Sequence, residues 1–277
     1  MFKGIDVSAH QGKIDWGKVK ADGIQFAIIR CGYGSDMPDQ DDKQFTRNVS
    51  ECEKHGIPYG VYLYSYATNL TEAESEVQHV LRLLKRYVPM YPVYIDMEDA
   101  DGYKRKHNVS DAMCVDICLR FCEEMTKAGY YAGVYANKDW LVNKINDLRL
   151  SAYPIWLAQW NSKPTYDGKF GIWQFTSSGN VDGIGTRVDM NLCYEDYPAI
   201  IKGKELNGYK KPAPKPAPKP TKKSNDAIAE EVIAGKWGNG AERKKKLKAA
   251  GYDYDAIQQL VNQKLSPKKE TSKPKKE

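Results

Sequence analysis

The chain has 277 residues, 41% of them apolar and 28% charged, with a net charge of +6. That length supplies one large domain and a small one, and no apolar run approaches the roughly 20 residues of a membrane span. Before Asn207 acidic residues outnumber basic ones 28 to 24, whereas from Asn207 onward basic residues lead 18 to 8, so an acidic body carries a basic tail. Such a tail points to an anionic partner, either a nucleic acid or a polyanionic cell wall.

Residues 1–206 alternate strand-like and helix-like segments, the pattern of an α/β domain. The first of them begins almost at Met1, so no secretory leader is expected. Strands are predicted at 4–8, 25–30, 59–65, 93–98, 131–136, 154–159, 170–175 and 187–190. Helices are predicted at 42–55, 71–86 and 110–128. Thr71 with Glu74 fits a capping box, and Gly56 and Gly129 fit helix stops. Eight strands with helices mainly in the first half predict an irregular (β/α)8-type barrel. A doubly wound open sheet is the rival, but no Gly-rich phosphate loop follows the first strand. Cys114, Cys118 and Cys122 form one helical stripe without further ligands nearby, so they read as small buried hydrophobes with reduced thiols.

A Lys- and Pro-rich linker of polyproline character is predicted at 207–223. Residues 224–265 hold three helical patterns, 226–234, 241–250 and 255–265, which suit a small three-helix bundle. The Lys-rich stretch 266–277 reads as an unstructured tail.

The chemistry gathers in Tyr94-Ile95-Asp96-Met97-Glu98. Strand side chains alternate between faces, so Val93, Ile95 and Met97 face one way and Tyr94, Asp96 and Glu98 the other. Two carboxylates at one strand end carry a desolvation cost and pull their pKa values apart, as an acid and a charged partner require. Asp6 and Asp189 repeat the logic at the ends of the first and last strands, and Gln174 sits late in its own. In a barrel these strand ends meet at one rim, with Asp6 beside Asp189. Such a cluster suits a hard cation, but Tyr33, Tyr62, Tyr64, Tyr135, Trp156 and Trp173 surround it, and aromatics around carboxylates favour a sugar. No metal or cofactor is predicted.

Gly4-Ile5-Asp6-Val7-Ser8-Ala9-His10-Gln11-Gly12 with Ile14-Asp15-Trp16 resembles the opening of glycoside hydrolase family 25. The resemblance continues through Phe26–Arg30, Gly60–Tyr64, Asp96-Met97-Glu98, Trp156-Leu157-Ala158, Trp173–Thr176 and Val188–Asn191, covering nearly the whole first domain in order. It implies an irregular barrel and a lysozyme, an N-acetylmuramidase that cuts the β-1,4 bond from N-acetylmuramic acid to N-acetylglucosamine in bacterial peptidoglycan with net retention. By that resemblance Glu98 is the general acid and Asp96 the second catalytic carboxylate. Asp96 then either attacks directly or orients the sugar's 2-acetamido group for attack. Asp6 and Asp189 shape the field and keep Glu98 protonated. Tyr33, Tyr62, Tyr64, Tyr135, Trp156, Gln174 and Asn191 are the expected substrate contacts.

Residues 229–243 with Ala250-Gly251-Tyr252-Asp253 resemble the CW_7 cell-wall-binding repeat, in one copy. Trp237 then anchors its core, and Asn239 and Arg243 contact the wall. These resemblances imply a phage or prophage endolysin, made in the host cytoplasm and released to the wall by a holin-type partner. A bacterial autolysin and a non-catalytic peptidoglycan-binding protein are the rivals. No nucleic-acid recognition motif supports a nucleic-acid partner.

Overall fold

The computed structural model describes residues 1–210 and 222–266, which form parts of two compact units divided at Lys211 and Pro212. The expected linker between 211 and 221 and the tail from 267 lie outside the described residues. Among the described residues of the first unit, eight strands close a barrel in chain order. They are β1 Phe2–Val7, β2 Phe26–Tyr33, β3 Tyr59–Tyr64, β4 Val93–Asp96, β5 Ala132–Asn137, β6 Ile155–Ala158, β7 Ile172–Gly179 and β8 Val188–Cys193. Neighbours from β1 to β7 pair in parallel, whereas β8 runs antiparallel to both β7 and β1.

The two-residue alternation of the strands sorts the core into two populations. Phe26, Ile28, Tyr94, Tyr135 and Trp156 fill the barrel interior. Ile5, Val7, Ile29, Val61, Leu63, Val93, Ile95 and Leu157 face outward into the larger cluster under the helices. Large interior rings are accommodated beside glycines. A Cβ on Gly133 would meet Tyr94 Cε1 at 2.7 Å, and one on Gly4 would meet the Phe26 ring, so the floor alternates large and absent side chains.

Helices α1 Trp16–Ala21, α2 Phe45–His55, α3 Leu70–Leu84, α4 Tyr103–Lys106 and α5 Asp111–Lys127 cover the first half of the barrel. Gly56 ends α2 in the left-handed conformation, and Gly129 takes the same hand just past α5, as expected of helix stops. The start of α3 differs from the sequence expectation. Asn69, not Thr71, caps it by accepting from Glu72 N at 3.0 Å, and the Glu72 side chain returns to Thr68 N. The stripe Cys114, Cys118 and Cys122 is buried on α5, and its thiols are free. After β5 the helices give way to short turns at Trp140–Lys144 and Leu148–Ala152, and α6 Tyr197–Lys204 follows β8. Asn207, read from the sequence as linker, is fully buried and belongs to the barrel unit. It donates to Pro89 O and Tyr91 O and accepts from Tyr131 N at 2.7 Å.

The second unit holds α7 Asn225–Ile233, α8 Gly240–Ala249 and α9 Tyr254–Leu265, the three predicted helices. Ser224 and Asp253 cap α7 and α9. Ile228, Ala229, Val232, Leu247, Ile257 and Val261 make its core, with Trp237 and Tyr252 packed against it edge to face at 6.2 Å. Among the described residues no helix is long and apolar enough to cross a membrane.

Candidate active site

The rim at the C-terminal ends of the parallel strands carries the carboxylates. Asp6 lies near the end of β1 and Asp96 at the end of β4, both 5% exposed, and partly buried Glu98 stands two residues past β4. Asp189 arrives by a different route from the one the sequence suggested. Because β8 is antiparallel, Asp189 opens its strand rather than closing it, yet the register sets it opposite Asp6. Alternation is blind to strand direction, so the predicted neighbours meet although the polarity was misread.

The opening motif builds this rim. Ser8 caps the turn after β1, with its N–H donating to Gln11 Oε1 at 2.9 Å. Ala9 N donates to buried Asp42, which also accepts from Arg30 Nε at 2.9 Å. Asp15 caps α1, and buried Trp16 donates to Asn48 at 3.2 Å, so the Ile14-Asp15-Trp16 stretch is framework.

Asp6 is caged by amides. Its Oδ2 accepts from Asn191 Nδ2 at 2.7 Å and Gln174 Nε2 at 3.0 Å. Asn191 also accepts from Trp156 Nε1 at 2.7 Å, and Gln174 Oε1 accepts from Tyr135 Oη and Trp160 Nε1, both at 3.1 Å. These contacts occupy three of the expected sugar ligands. Trp156 and Asn191 are 1% and 0% exposed, closed off inside the barrel, and they hold Asp6 rather than face a substrate. Gln174 is also buried and spends both ends of its amide on this cage. Trp173 points outward into the helix-facing core and donates to Gln159 O. Tyr33, Tyr62 and Tyr64 remain partly exposed around the mouth, and Tyr135 is nearly buried.

Burial raises all four carboxyl pKa values, and repulsion within the cluster adds to the rise. Asp6 is pushed up to about 8, by burial first and Asp189 second, and Asp189 to about 6 by burial. The protons belong to the cluster as a whole. What opposes the rise differs from residue to residue. Asn191 and Gln174 favour the Asp6 anion, Lys104 and Arg30 favour the Asp96 anion, and a backbone N–H favours that of Asp189. Glu98 is raised by burial, Asp189 and Asp101, with nothing drawing it down. Glu98 is also the more exposed of the pair at the end of β4, so a proton held there can reach a group that enters the site. Asp6 and Glu98 repel each other as well, so the influence expected from Asp6 acts beside those of Asp189 and Asp101. Asp96 Oδ1 is buried with no hydrogen-bond partner among the described residues.

Several residues here escaped the sequence reading. Arg30 shares the inward parity of Phe26 and Ile28, the signal that found Asp6, but it was passed over. Trp160 is 64% exposed, and its donation to Gln174 ties the rim to the cage. Tyr66 stands 5.0 Å from Tyr64 and 6.1 Å from Tyr33, ring to ring, and donates to Asp101 at 2.7 Å. A cavity of about 670 Å³ opens at the opposite end of the barrel, beside Tyr131, Tyr153, Phe170 and Tyr197, and contains none of the carboxylates.

In the second unit Arg243 is engaged inside the fold. Its Nε donates to Gly238 O at 3.0 Å, and its terminal nitrogens to Gln258 at 3.3 Å and Asn239 at 2.9 Å. Asn239 and Arg243 thus brace each other beside the Gly238 turn. Trp237 donates to Glu231 at 3.0 Å while packing on the core.

Comparison with known proteins agrees with this geometry. Residues 5–184 match Glycosyl hydrolases family 25 and residues 226–265 match the CW_7 repeat. The first match stops short of Asp189, whose place in the site rests on its register with Asp6. The lysozyme of Streptococcus phage Cp-7 is 27% identical over 272 residues, 94% of this chain and 69% of the relative. The autolytic lysozyme of Clostridium acetobutylicum is 25% identical over 191 residues, 69% of this chain, and the alignment spans only 55% of that relative's length. Among solved structures, the modular autolysin LytC of Streptococcus pneumoniae, in complex with a synthetic peptidoglycan ligand, matches with a TM-score of 0.61 at 32% identity. That match covers 70% of this chain and 46% of the other. With its barrel, its rim carboxylates and a family match over most of the barrel unit, the chain belongs to glycosyl hydrolase family 25.

Proposed function

We propose that this protein is a lysozyme that hydrolyses the β-1,4 bond between N-acetylmuramic acid and N-acetylglucosamine in bacterial peptidoglycan with net retention. The observation that carries the reading is the placement of two carboxylates at one strand end, Asp96 buried with Lys104 and Arg30 favouring its anion and Glu98 partly exposed with no cation acting on it. Glu98 protonates the leaving glycosidic oxygen as the bond breaks. Asp96 supports the cation-like sugar, by direct attack or by orienting the 2-acetamido group. Mass spectrometry of digested peptidoglycan tests the bond assignment: muramic acid at the new reducing end is expected, and glucosamine there would make the enzyme a glucosaminidase. Glu98→Ala removes the clearing zone in a peptidoglycan zymogram under the same reading. Retained clearing by that variant would mean a different acid.

The CW_7 repeat is the second contact with the wall, with peptidoglycan as its ligand and Asn239 and Arg243 beside the binding turn. Basic residues of the tail add affinity for anionic wall polymers. The match to the phage Cp-7 lysozyme extends over nearly the whole chain, into this repeat, and favours an endolysin that reaches the wall after a holin-type partner opens the membrane. The clostridial autolytic lysozyme supports an autolysin as the second reading. Production of the full chain in a bacterial cytoplasm separates them. An endolysin leaves growth intact until the membrane is permeabilised, and lysis without that step favours the autolysin.

A further inference from the structure

Lys104, on α4, is the one lysine or arginine that the described residues bury. Its Nζ donates to Ser65 O at 2.7 Å and reaches Ser65 Oγ at 3.4 Å and Ala67 O at 3.5 Å. Glu76, fully buried on α3, takes the complementary groups of the same turn. Its oxygens accept from Tyr66 N at 2.7 Å, Ala67 N at 2.9 Å and Ser65 Oγ at 2.9 Å. The turn after β3 is thus gripped by its N–H groups from one side and by its carbonyls from the other. That turn is tied to the catalytic strand, because Ser65 N donates to Asp96 O at 3.1 Å. Asp99 accepts from Lys104 N at 2.7 Å and Arg105 N at 3.2 Å, which fastens α4 to the loop that leaves Glu98.

Neutral side chains could satisfy such a turn at a lower desolvation cost, so the buried charge calls for its own reason. Asp96 faces Tyr64 from β3, Tyr135 from β5, Asp6 from β1 and Glu98 from its own strand end, none of them cationic. The cations acting on it are Lys104 and Arg30. Arg30 is committed to Asp42 at 2.9 Å, and Lys104, whose hydrogen bonds go to neutral oxygens, meets the Glu76 carboxylate through the shared Ser65 hydroxyl. Lys104 itself faces Glu76 from α3 and Cys114 and Cys118 from α5. We propose that Lys104 is a positioning residue of the catalytic centre, which pins the turn after β3 to the strand end carrying Asp96 and supplies the buried positive charge that balances Asp96 within the acidic cluster. A neighbouring cation favours the carboxylate, so its loss makes Asp96 harder to ionise.

The inference rests on the muramidase reading, and its test keeps the two apart. In the full chain, Lys104→Met lowers kcat on peptidoglycan about tenfold and moves the acid limb of the kcat/KM profile up by about one pH unit, with KM little changed. Lys104→Arg, which keeps the charge, returns the limb towards its original position. Lys104→Met/Glu76→Gln removes both buried charges and is the variant that decides the matter should the single substitution fail to fold. A folded double variant with wild-type kcat and an unmoved acid limb overturns the proposal. Absence of any glycan cleavage by the wild type would sink the muramidase reading alone. The Lys104 proposal is then decided without substrate, by 13C NMR titration of the Asp96 carboxyl. A higher midpoint in the double variant supports it, and an unchanged midpoint overturns it.

Discussion

The two halves of the barrel reach one rim by different means. From β1 to β5 the strands are parallel and helices pack outside them, so inward side chains at strand ends land at the rim by alternation alone. That half delivers Asp96 and Glu98. From β6 to β8 only short or absent helices intervene, and the closing strand runs backwards. That half delivers Asp189 together with Gln174 and Asn191, the two amides that hold Asp6. On the proposed reading the regular half presents the reacting groups, and the irregular half cages and biases them. Antiparallel closure makes this division feasible, because β8 can place its first residues at the rim and its later ones in the barrel's depth.

The largest expected effect lies in the regular half. Glu98→Gln removes the proton donor without changing shape, so kcat falls by about 10³-fold or more, within the range for lost acid catalysis and lost charge at the reacting centre. Its thermal midpoint stays level or rises, since a carboxyl held above its ordinary range gives way to a neutral amide. Counting new reducing ends on peptidoglycan checks the rate, and calorimetry checks the midpoint. In the irregular half the pattern is different. Asn191→Ala leaves Trp156 Nε1 and Asp6 Oδ2 short of partners in a fully buried place, at a cost of about 2–4 kcal/mol. It lowers activity and stability together. A variant with wild-type stability and lower activity would dissolve the distinction between the halves.

Proton linkage sharpens the same comparison. Asp6, Asp96, Glu98 and Asp189 are all raised in the fold, so the folded state holds protons that the unfolded chain releases near pH 4. The stability they contribute is complete below their unfolded values and is lost as pH rises through about 6 for Asp189 and about 8 for Asp6. Glu76, raised to about 7, acts in the same direction. The thermal midpoint of the barrel therefore falls between pH 5 and pH 9. Asp189→Asn flattens the part of that fall near pH 6, by about 2–4 °C. A midpoint that rises steadily through this window would contradict the burial of the cluster.

Much of this was legible in the residues, and what was missed has physical causes. Alternation alone separated Tyr94, Asp96 and Glu98 from Val93, Ile95 and Met97, and the structure puts Val93, Ile95 and Met97 in the outer core and Tyr94 in the inner one. Alternation carries no direction, so Asp189 was placed correctly with its strand reversed. It also carries no depth along the barrel axis, which is why Trp156 and Asn191 read as substrate contacts although they lie below the accessible surface. Arg30 was available to the same rule. Lys104 was not, since its role comes from a turn distant in sequence, Ser65–Ala67, that only the closed barrel brings to it. Asn69 outcompeted Thr71 as a cap because its extended backbone lets its side chain reach Glu72 N.

The smallest effect on the chemistry is expected outside the barrel, where the second unit asks whether the division of labour extends along the chain. Its core is six buried residues on three short helices. Ile257 is fully buried among them, and Ile257→Ala costs about 2–4 kcal/mol. That is comparable with the whole stability a unit of this size commands, so the substitution unfolds it. The barrel has its own core and its own closed hydrogen bonding, and kcat on soluble glycan fragments should stay within about twofold of wild type. Retention on intact sacculi, measured by co-sedimentation, should fall by about tenfold or more, as expected when one of two linked contacts is lost. Arg243→Ala probes the same surface with the core intact. It frees the Gly238 turn and weakens sedimentation less than Ile257→Ala does. Equal retention by all three proteins would place wall affinity in the catalytic cleft alone, and the barrel would then need no second site to find its substrate.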